Sequence, residues 1–317
     1  SQAARDLPDP HTLRGLTEVP ELPDPKPVEG SSAQKLPVTV TDVEGNKVTI
    51  KSTSRILALD LYGTLSRTLI GLGLGDKIVG RTVSSTEKQL HDRPVVTENG
   101  HVLNVEAVAG LKPSVIIADR SVGPKEALDQ LRKSGIPVVL VDPHRSVGST
   151  PQLIRTIADA VGKPDAGEAL VKRTQEQIDQ AKKQIAAWKP AKPMRVAFLY
   201  VRGNAGVFFI LGSENGASEL IQGVGADDVA SDKGITTLVP ANAESLVSIN
   251  PDAIFVMRDG LASTGGMKGL LARAGVANTT AGRKQRVISI PDGISLSFGP
   301  QTGEVLTAVA KALYGVK

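Results

Sequence analysis

Residues 106–120 read EAVAGLKPSVIIADR, and residues 244–258 read ESLVSINPDAIFVMR. The two stretches share a glutamate, an aliphatic residue, a proline and an isoleucine at a constant offset of 138 residues. In each stretch the proline ends a short helix, because it restricts the residue before it and has no N–H to donate. The apolar run that follows is typical of a buried parallel strand. The repeat therefore predicts a chain built from two copies of one α/β pattern.

The same order of elements surrounds both copies. Short apolar runs at residues 55–59 and 195–199 predict the first strand of each copy. The other predicted elements are strands Ser114–Ala118 and Ala253–Val256, helices Lys125–Lys133 and Met267–Arg273, and strands Val138–Val141 and Val287–Ile290. We therefore expect an α/β fold with an N-terminal lobe at residues 35–149 and a C-terminal lobe at residues 191–317.

Residues 150–190 predict a mostly helical link between the lobes. Ile178, Ile185 and Trp188 recur at helical spacing among lysines and glutamines. A helix of about 25 residues would extend about 37 Å at 1.5 Å per residue, which is long enough to brace both lobes from one side. Ligands of open α/β sheets bind beyond the carboxyl ends of the strands, so we expect the ligand in a cleft between the lobes.

The first 34 residues differ in composition from the rest of the chain. They are acidic and contain six prolines, which favours an extended, disordered stalk at residues 1–34. Such a stalk is typical of the spacer of a surface-anchored lipoprotein, and a plain disordered tail is the alternative. No apolar core of a signal peptide is present, so we expect any signal peptide to have been removed.

Composition excludes several kinds of function. The 317 residues include no cysteine, which excludes disulfide scaffolds, zinc–thiolate sites and iron–sulfur clusters. No apolar run approaches the length of a membrane span, and a net charge of +4 without a dense basic patch argues against nucleic acid binding. The glycine cluster at residues 71–75 departs from a dinucleotide fingerprint, and no phosphate loop or GxSxG elbow occurs. We therefore expect a binding protein, and an enzyme on the same scaffold is the more distant alternative.

Tyr200 and Arg202 are the first candidate ligand-binding residues. Tyr200 ends the first strand of the second lobe, and the alternation of a strand puts Arg202 on the same face. A neighbouring guanidinium favours a phenolate, which is a hard anionic ligand suited to ferric iron. A buried tyrosine beside a surface arginine is the alternative interpretation.

Three histidines of the body could supply a second iron ligand. His101 lies in a turn just before the helix that carries Glu106, near the predicted strand ends. His144 follows a strand and is the reserve candidate, whereas His91 neighbours charged residues and is expected to be solvated. An exposed loop histidine without a ligand is the alternative for His101.

Four stretches carry a family resemblance. They are residues 55–59 (RILAL), 72–80 (LGLGDKIVG), 111–119 (LKPSVIIAD) and 216–228 (GASELIQGVGADD). They resemble the helical-backbone, class III periplasmic-binding-protein family of ABC-importer substrate-binding proteins over essentially all of residues 36–317. The resemblance implies two α/β lobes joined by a long helix, and a cargo of cobalamin, ferric siderophore or haem.

The Tyr200-x-Arg202 pair and a first-lobe histidine resemble the haem-binding lipoproteins of Gram-positive ABC haem importers (HmuT type). The resemblance implies that Tyr200 and His101 are the axial ligands of ferric haem and that Arg202 hydrogen-bonds the phenolate. Met257, at a strand end, would pack on the porphyrin. Tyr62 and Arg81 are further candidates for contact with the macrocycle or its propionates. A ferric siderophore or another metal chelate in the same fold is the closer alternative.

The resemblance also implies partners and a location. Glu126 and Glu219 would offer one carboxylate from each lobe to arginines of the permease, although a glutamate in a first helical turn is also stabilised by the helix dipole. The implied protein is an extracytoplasmic monomer without catalytic activity, anchored to the outer face of the cell membrane by a lipid. It would receive haem from upstream surface haem-binding proteins and pass it to an ABC permease with its ATPase. The cysteine that such an anchor needs is absent from this chain.

Overall fold

The computed structural model describes residues 6–29 and 33–317, and the chain divides into two compact units. Within the described residues, the N-terminal unit comprises residues 23–29, 33–176 and 297–302, and the C-terminal unit comprises residues 6–22, 177–296 and 303–317. The main part of each predicted lobe lies in one unit. Two short segments were not anticipated, since residues 6–22 belong to the C-terminal unit and residues 297–302 to the N-terminal unit.

Seven strands and four helices form the N-terminal unit as described. The strands are β2 (Val38–Thr41), β3 (Lys47–Ile50), β4 (Ile56–Leu59), β5 (Thr97–Glu98), β6 (Val102–Leu103), β7 (Val115–Ala118) and β8 (Val138–Leu140). The helices are α1 (Thr64–Gly71), α2 (Val105–Gly110), α3 (Lys125–Lys133) and α4 (Thr150–Ala160).

The C-terminal unit contains the remaining strands and most of the remaining helices. The strands are β1 (Leu16–Glu18), β9 (Arg195–Arg202), β10 (Val207–Leu211), β11 (Asp227–Asp228), β12 (Leu238–Pro240), β13 (Ala253–Met257) and β14 (Val287–Ile290). The helices are α6 (Ala217–Gly223), α7 (Val229–Asp232), α8 (Ala243–Ile249), α9 (Arg258–Ser263), α10 (Gly266–Ala272), α11 (Thr280–Lys284), α12 (Asp292–Ser295) and α13 (Thr302–Tyr314). Helix α5 (Pro164–Trp188) runs from one unit into the other and has 25 residues, the length that the sequence predicts.

A three-stranded parallel sheet organises the N-terminal unit. Its strand order is β4-β7-β8, and Ile56 lies opposite Val115 in the register. Every residue of these strands is buried, because apolar clusters cover both faces of the sheet. This burial explains why the strands read as continuous apolar runs in the sequence.

A seven-stranded mixed sheet organises the C-terminal unit. Strands β1, β14, β13 and β9 are parallel neighbours, and β10 and β12 continue the sheet in antiparallel pairs. The parallel order brings the carboxyl ends of β9, β13 and β14 to one edge. This is the edge at which the sequence predicts the ligand.

The internal repeat extends to hydrogen bonds within each unit. Arg55 donates from Nε to the carbonyl of Leu111 at 2.8 Å, and Arg195 donates from Nη2 to the carbonyl of Ile249 at the same distance. Leu111 and Ile249 are equivalent positions of the repeat. In both units an arginine at the start of the first strand therefore binds a free carbonyl at the end of the repeated helix.

The N-terminal segment differs from the predicted disordered stalk. Strand β1 pairs in parallel with β14, and Val19 is only 2% exposed. Arg286 donates to the carbonyl of Gly15 and to the hydroxyl of Thr17. The stalk prediction is wrong for residues 6–29, because pairing with a sheet edge uses backbone groups that composition does not reveal.

None of the helices within residues 6–29 and 33–317 combines the length and the apolar character needed to cross a lipid bilayer.

Candidate functional site

Polar and polarisable side chains cluster at the carboxyl edge of the C-terminal sheet. Tyr200 and Arg202 lie among the last three residues of β9, and Met257 is the last residue of β13. Asp292 follows β14 by two residues. The structure therefore brings three predicted residues together and adds a carboxylate that the sequence interpretation did not include.

Arg202 lies over the ring of Tyr200. Its guanidinium carbon is 4.8 Å from the ring centre, as expected if both side chains occupy the same face of β9. The guanidinium also donates to the carbonyl of Val201 at 2.9 Å and lies 3.5 Å from the sulfur of Met257. The contact between Arg202 and Tyr200 is thus a cation–π stack on the ring face, whereas the resemblance implied a hydrogen bond to the phenolic oxygen.

Asp292 holds Arg202 in this position. Its Oδ2 accepts a hydrogen bond from Nη2 of Arg202 at 2.8 Å, and its Oδ1 accepts one from the backbone N–H of Asp259 at 2.8 Å. Burial raises the pKa of Asp292 above its usual range, while the Asp259 N–H and the Arg202 charge oppose that rise. Both carboxylate oxygens are engaged, so the side chain has a fixed orientation.

A buried ion triad occupies the corresponding edge of the N-terminal sheet. Arg145 donates from Nη2 to Asp60 at 2.9 Å and to Asp119 at 2.6 Å, and both aspartate side chains are fully buried. Each aspartate directly follows a parallel strand, β4 or β7. Burial, together with the neighbouring Asp60 charge, raises the pKa of Asp119 to about 6.

Tyr62 lies beneath this triad. The guanidinium carbon of Arg145 is 5.2 Å from the centre of its ring. Burial raises the pKa of Tyr62, and the charge of Asp119 adds to the rise. The phenol of Tyr62 is therefore held in its neutral form, which suits a hydrogen-bonding or packing contact better than ligation of iron.

His101 lies at the tip of the hairpin formed by β5 and β6. The turn is made by Asn99 and Gly100, which both have left-handed backbone angles, with φ of 51° and 86°. The backbone carbonyl of His101 accepts a hydrogen bond from Gly123, and the side chain is exposed. The hairpin thus presents the imidazole to solvent, as the predicted turn requires.

The other two histidines of the body are exposed. His91 has its Nδ1 2.9 Å from the carbonyl of Lys88, within a short 3-10 turn. His144 follows β8, and its backbone N–H donates to Asp142. Arg81 is the predicted contact for the macrocycle or its propionates. Its Nη2 donates to the carbonyl of His91 at 3.5 Å.

The two candidate docking glutamates each lie in the first turn of a helix, one in each unit. Glu126 is exposed in the first turn of α3, and Glu219 is half-buried in the first turn of α6. Each unit therefore offers one carboxylate at the start of a helix, where the helix dipole also stabilises it.

Four charged residues of these edges were missing from the sequence-based set: Asp60, Asp119, Arg145 and Asp292. A signal for the aspartates was present, since each follows an apolar strand by one or two residues. Arg145 gave no such signal, because its partners lie 85 and 26 residues away along the chain.

Comparison with known proteins finds one matching family and several proteins that are similar to this chain. A family model described as periplasmic binding protein matches residues 61–293. The chain is similar to the crystal structure of the heme binding protein HmuT, with 49% identity and a TM-score of 0.95 over 98% of this chain and 100% of that one. It is also similar to the periplasmic heme-binding protein RhuT from Roseiflexus sp. RS-1, with 32% identity and a TM-score of 0.78 over 83% and 99% of the two chains. The uncharacterized ABC transporter substrate-binding lipoprotein YvrC of Bacillus subtilis (strain 168) is 27% identical over 280 residues, which are 88% of this chain and 86% of YvrC.

Three further matched crystal structures are single alanine variants of HmuT, at a histidine, a tyrosine and an arginine. The arginine follows the tyrosine by two positions, as Arg202 follows Tyr200 here. The histidine precedes the tyrosine by the same number of residues as His101 precedes Tyr200.

Proposed function

The chain belongs to the periplasmic binding protein family, and we propose that it captures haem outside the cytoplasmic membrane and delivers it to an ABC permease. It is a binding protein rather than an enzyme. The observation that carries the haem assignment is the similarity to HmuT, at 49% identity over 98% of the chain. Haem is the cargo in this proposal and is not chemically changed.

We propose that Tyr200 and His101 are the two axial ligands of the haem iron. They lie in different units, so each unit contributes one ligand atom. Tyr200 is half-buried at a sheet edge beside a cation, which suits an anionic phenolate, and the imidazole of His101 is exposed at a hairpin tip. The matching spacing of the histidine, tyrosine and arginine varied in HmuT supports the same three positions.

Each unit has apolar side chains that suit the faces of a porphyrin. Met257 neighbours Arg202 at the end of β13 in the C-terminal unit. In the N-terminal unit, Leu61 is 40% exposed and precedes Tyr62, and Val83 is 47% exposed. Exposed apolar residues at the ligand end of a sheet are a feature of an apolar binding surface. Arg81 is proposed as a propionate contact from the same unit.

The charge distribution favours haem over the alternative of an anionic ferric siderophore. Arg202 is paired with Asp292, and Arg145 is paired with both Asp60 and Asp119. A strongly anionic chelate is best bound by cations that are not already compensated by carboxylates. The two faces of a porphyrin need apolar contacts and axial ligands, and we propose that Met257 and Tyr200 at the C-terminal sheet edge supply one of each.

Absorption titration with hemin tests the proposed ligands. Wild-type protein should develop a Soret band that saturates at one haem per chain. Tyr200→Phe keeps the ring under Arg202 but removes the oxygen, so most of the haem affinity should be lost and the visible and EPR spectra should change. His101→Ala should change the spectrum while weaker binding persists. Saturation by a ferric siderophore, with no response to hemin, would replace the haem assignment by the alternative.

We further propose that Glu126 and Glu219 dock the loaded protein on arginines of the permease. The chain would be held at the outer face of the membrane by a lipid, as the lipoprotein name of YvrC suggests for that relative. Combined Glu126→Gln and Glu219→Gln substitutions should abolish haem uptake by cells and leave the hemin titration unchanged. Continued uptake would assign the two glutamates to helix stabilisation alone.

A further inference from the structure

Asp292 is the carboxylate that binds the guanidinium of Arg202. The guanidinium of Arg202 has three anchors besides the ring of Tyr200: the carbonyl of Val201, the sulfur of Met257 and the carboxylate of Asp292. Of these anchors, only the carboxylate is charged, and charge-assisted hydrogen bonds are roughly twice as strong as neutral ones. The orientation of the guanidinium is therefore set mainly by Asp292.

The orientation of Asp292 is itself fixed. Its second oxygen accepts the backbone N–H of Asp259 at the start of α9, and its side chain is 20% exposed. A carboxylate with one oxygen on a backbone donor and the other on a guanidinium has little freedom to rotate. The backbone of α9 thus fixes Asp292, and Asp292 fixes Arg202 against Tyr200.

We propose that Asp292 is a positioning residue for the haem ligand Tyr200, and that it acts entirely through Arg202. By holding the guanidinium on the ring face, Asp292 determines how strongly the positive charge acts on the phenolic oxygen. The inference rests on the proposed function and adds a residue that sets the donor strength of the tyrosine.

The test is a double-mutant cycle with Asp292→Asn and Arg202→Ala. Asparagine keeps an oxygen for the Asp259 N–H and replaces the oxygen that accepts from Arg202 with an NH2 group, so both the charge and the hydrogen bond to Arg202 are lost. Hemin affinity, the iron–phenolate band in resonance Raman spectra and the Fe(III)/Fe(II) midpoint potential are measured for both single variants and the double variant. Asp292→Asn should lower hemin affinity by about tenfold and shift the band and the potential in the same direction as Arg202→Ala. In the Arg202→Ala background it should have no further effect.

Asp259→Asn is the matched control. It removes one negative charge from an exposed neighbour whose side chain does not contact Arg202, and whose partner is Arg258 at 3.5 Å. It should leave the Raman band and the potential at their wild-type values. An equal effect of Asp259→Asn would show that only the local charge matters, and this result would overturn the proposal.

Two other outcomes separate the inference from the proposed function. If wild-type protein binds hemin but Asp292→Asn changes neither the Raman band nor the potential, the positioning role is wrong while haem binding stands. Additive effects of the two substitutions would also overturn it, because Asp292 would then act independently of Arg202. Failure of wild-type protein to bind hemin would instead refute the proposed function. Thermal unfolding of each haem-free variant identifies any loss that comes from misfolding.

Discussion

The three tyrosines of the chain have different environments. Tyr314 is fully buried and donates its hydroxyl to the carbonyl of Val224, and burial raises its pKa. Tyr62 is held neutral by burial and by the charge of Asp119. Tyr62 and Tyr200 are both half-buried and each stacks on a guanidinium, but the guanidinium at Tyr62 is paired with two carboxylates and the one at Tyr200 with a single carboxylate. These local differences favour Tyr200 over the other two as the proposed phenolate ligand.

We predict that Tyr62→Phe leaves the coordination of iron intact. The ring and its stacking with Arg145 are kept, and only a neutral hydroxyl is lost. The Soret and EPR spectra of the hemin complex should keep their wild-type form, with at most a severalfold loss of affinity. A Tyr62→Phe protein with the spectrum of the Tyr200→Phe protein would mean that the two tyrosines are wrongly assigned.

A buried glutamate gives the N-terminal unit a pH-dependent stability. Glu87 is 1% exposed and lies 3.3 Å from Nε of Arg67, which is also buried. Burial raises the pKa of Glu87 from 4.5 to about 7, although the charge of Arg67 opposes the rise. In the unfolded chain the group ionises near pH 4.5, so between pH 4.5 and 7 the folded state retains a proton that the unfolded state has lost. The stabilisation is therefore complete below pH 4.5 and is lost as the pH rises through 7.

We predict that Glu87→Gln removes this pH dependence. The free energy of unfolding of the wild-type protein, relative to the variant, should fall by on the order of 3 kcal/mol between pH 5 and pH 8. Urea unfolding at several pH values measures the difference. Parallel curves for the two proteins across this range would show that the carboxyl of Glu87 titrates at its ordinary pKa.

At the scale of the element, the two helices of the internal repeat, α2 and α8, are followed by the same backbone conformation. Lys112 follows α2 and Asn250 follows α8, and each comes directly before a proline. Both residues have a left-handed backbone, with φ of 52° for Lys112 and 36° for Asn250. Asparagine tolerates this conformation, and its Oδ1 accepts the N–H of Thr280 at 2.7 Å. Lys112 is exposed and carries the steric cost of its Cβ in the left-handed region.

We predict opposite effects for glycine at these two equivalent positions. Lys112→Gly should raise the free energy of unfolding by about 0.5–1 kcal/mol, because it relieves the left-handed backbone. Asn250→Gly gains less and loses a hydrogen bond worth about 1 kcal/mol, so it should not stabilise the protein. Chemical denaturation of both variants checks the contrast, and a stabilising Asn250→Gly would contradict the role of its side chain.

At the scale of the whole molecule, the N-terminal segment is part of the C-terminal unit. Strand β1 covers the edge of β14, and its neighbour Val19 is buried. Arg286 is 3% exposed, and its guanidinium donates to the carbonyl of Gly15 and to the hydroxyl of Thr17. Removal of this segment would leave a buried guanidinium short of partners and a sheet edge open to other chains.

We predict that a chain lacking residues 1–22 has a lower Tm and a greater tendency to aggregate. Val19→Ala keeps the strand and removes two methyl groups, so it is the milder matched variant and should lower the Tm less. Calorimetry and light scattering measure the two effects. Equal Tm values for the truncated and full chains would restore the interpretation of this segment as a stalk.

Local signals explain why much of the fold could be predicted. Helix α3 and strand β14 have the bounds that the sequence indicates, because an amphipathic period and an apolar run are both properties of consecutive residues. Strand β9 extends three residues beyond the predicted run, to Arg202, because it pairs with β10 in a hairpin that the apolar run did not indicate. The candidate pair Tyr200 and Arg202 followed from strand alternation alone, which explains why that part of the site could be predicted.

The amino-acid sequence by itself determined the twofold repeat, the class of the repeated helices and strands, and the end of the strands at which polar residues would gather. These properties depend on neighbours a few positions apart. Only the tertiary structure decided which charges compensate the arginines and where the first residues of the chain lie. Arg202 and Asp292 are 90 residues apart, and Gly15 and Arg286 are 271 apart, so no local pattern links them. Their pairing follows from the parallel order of strands in one sheet, which brings distant side chains to a common edge.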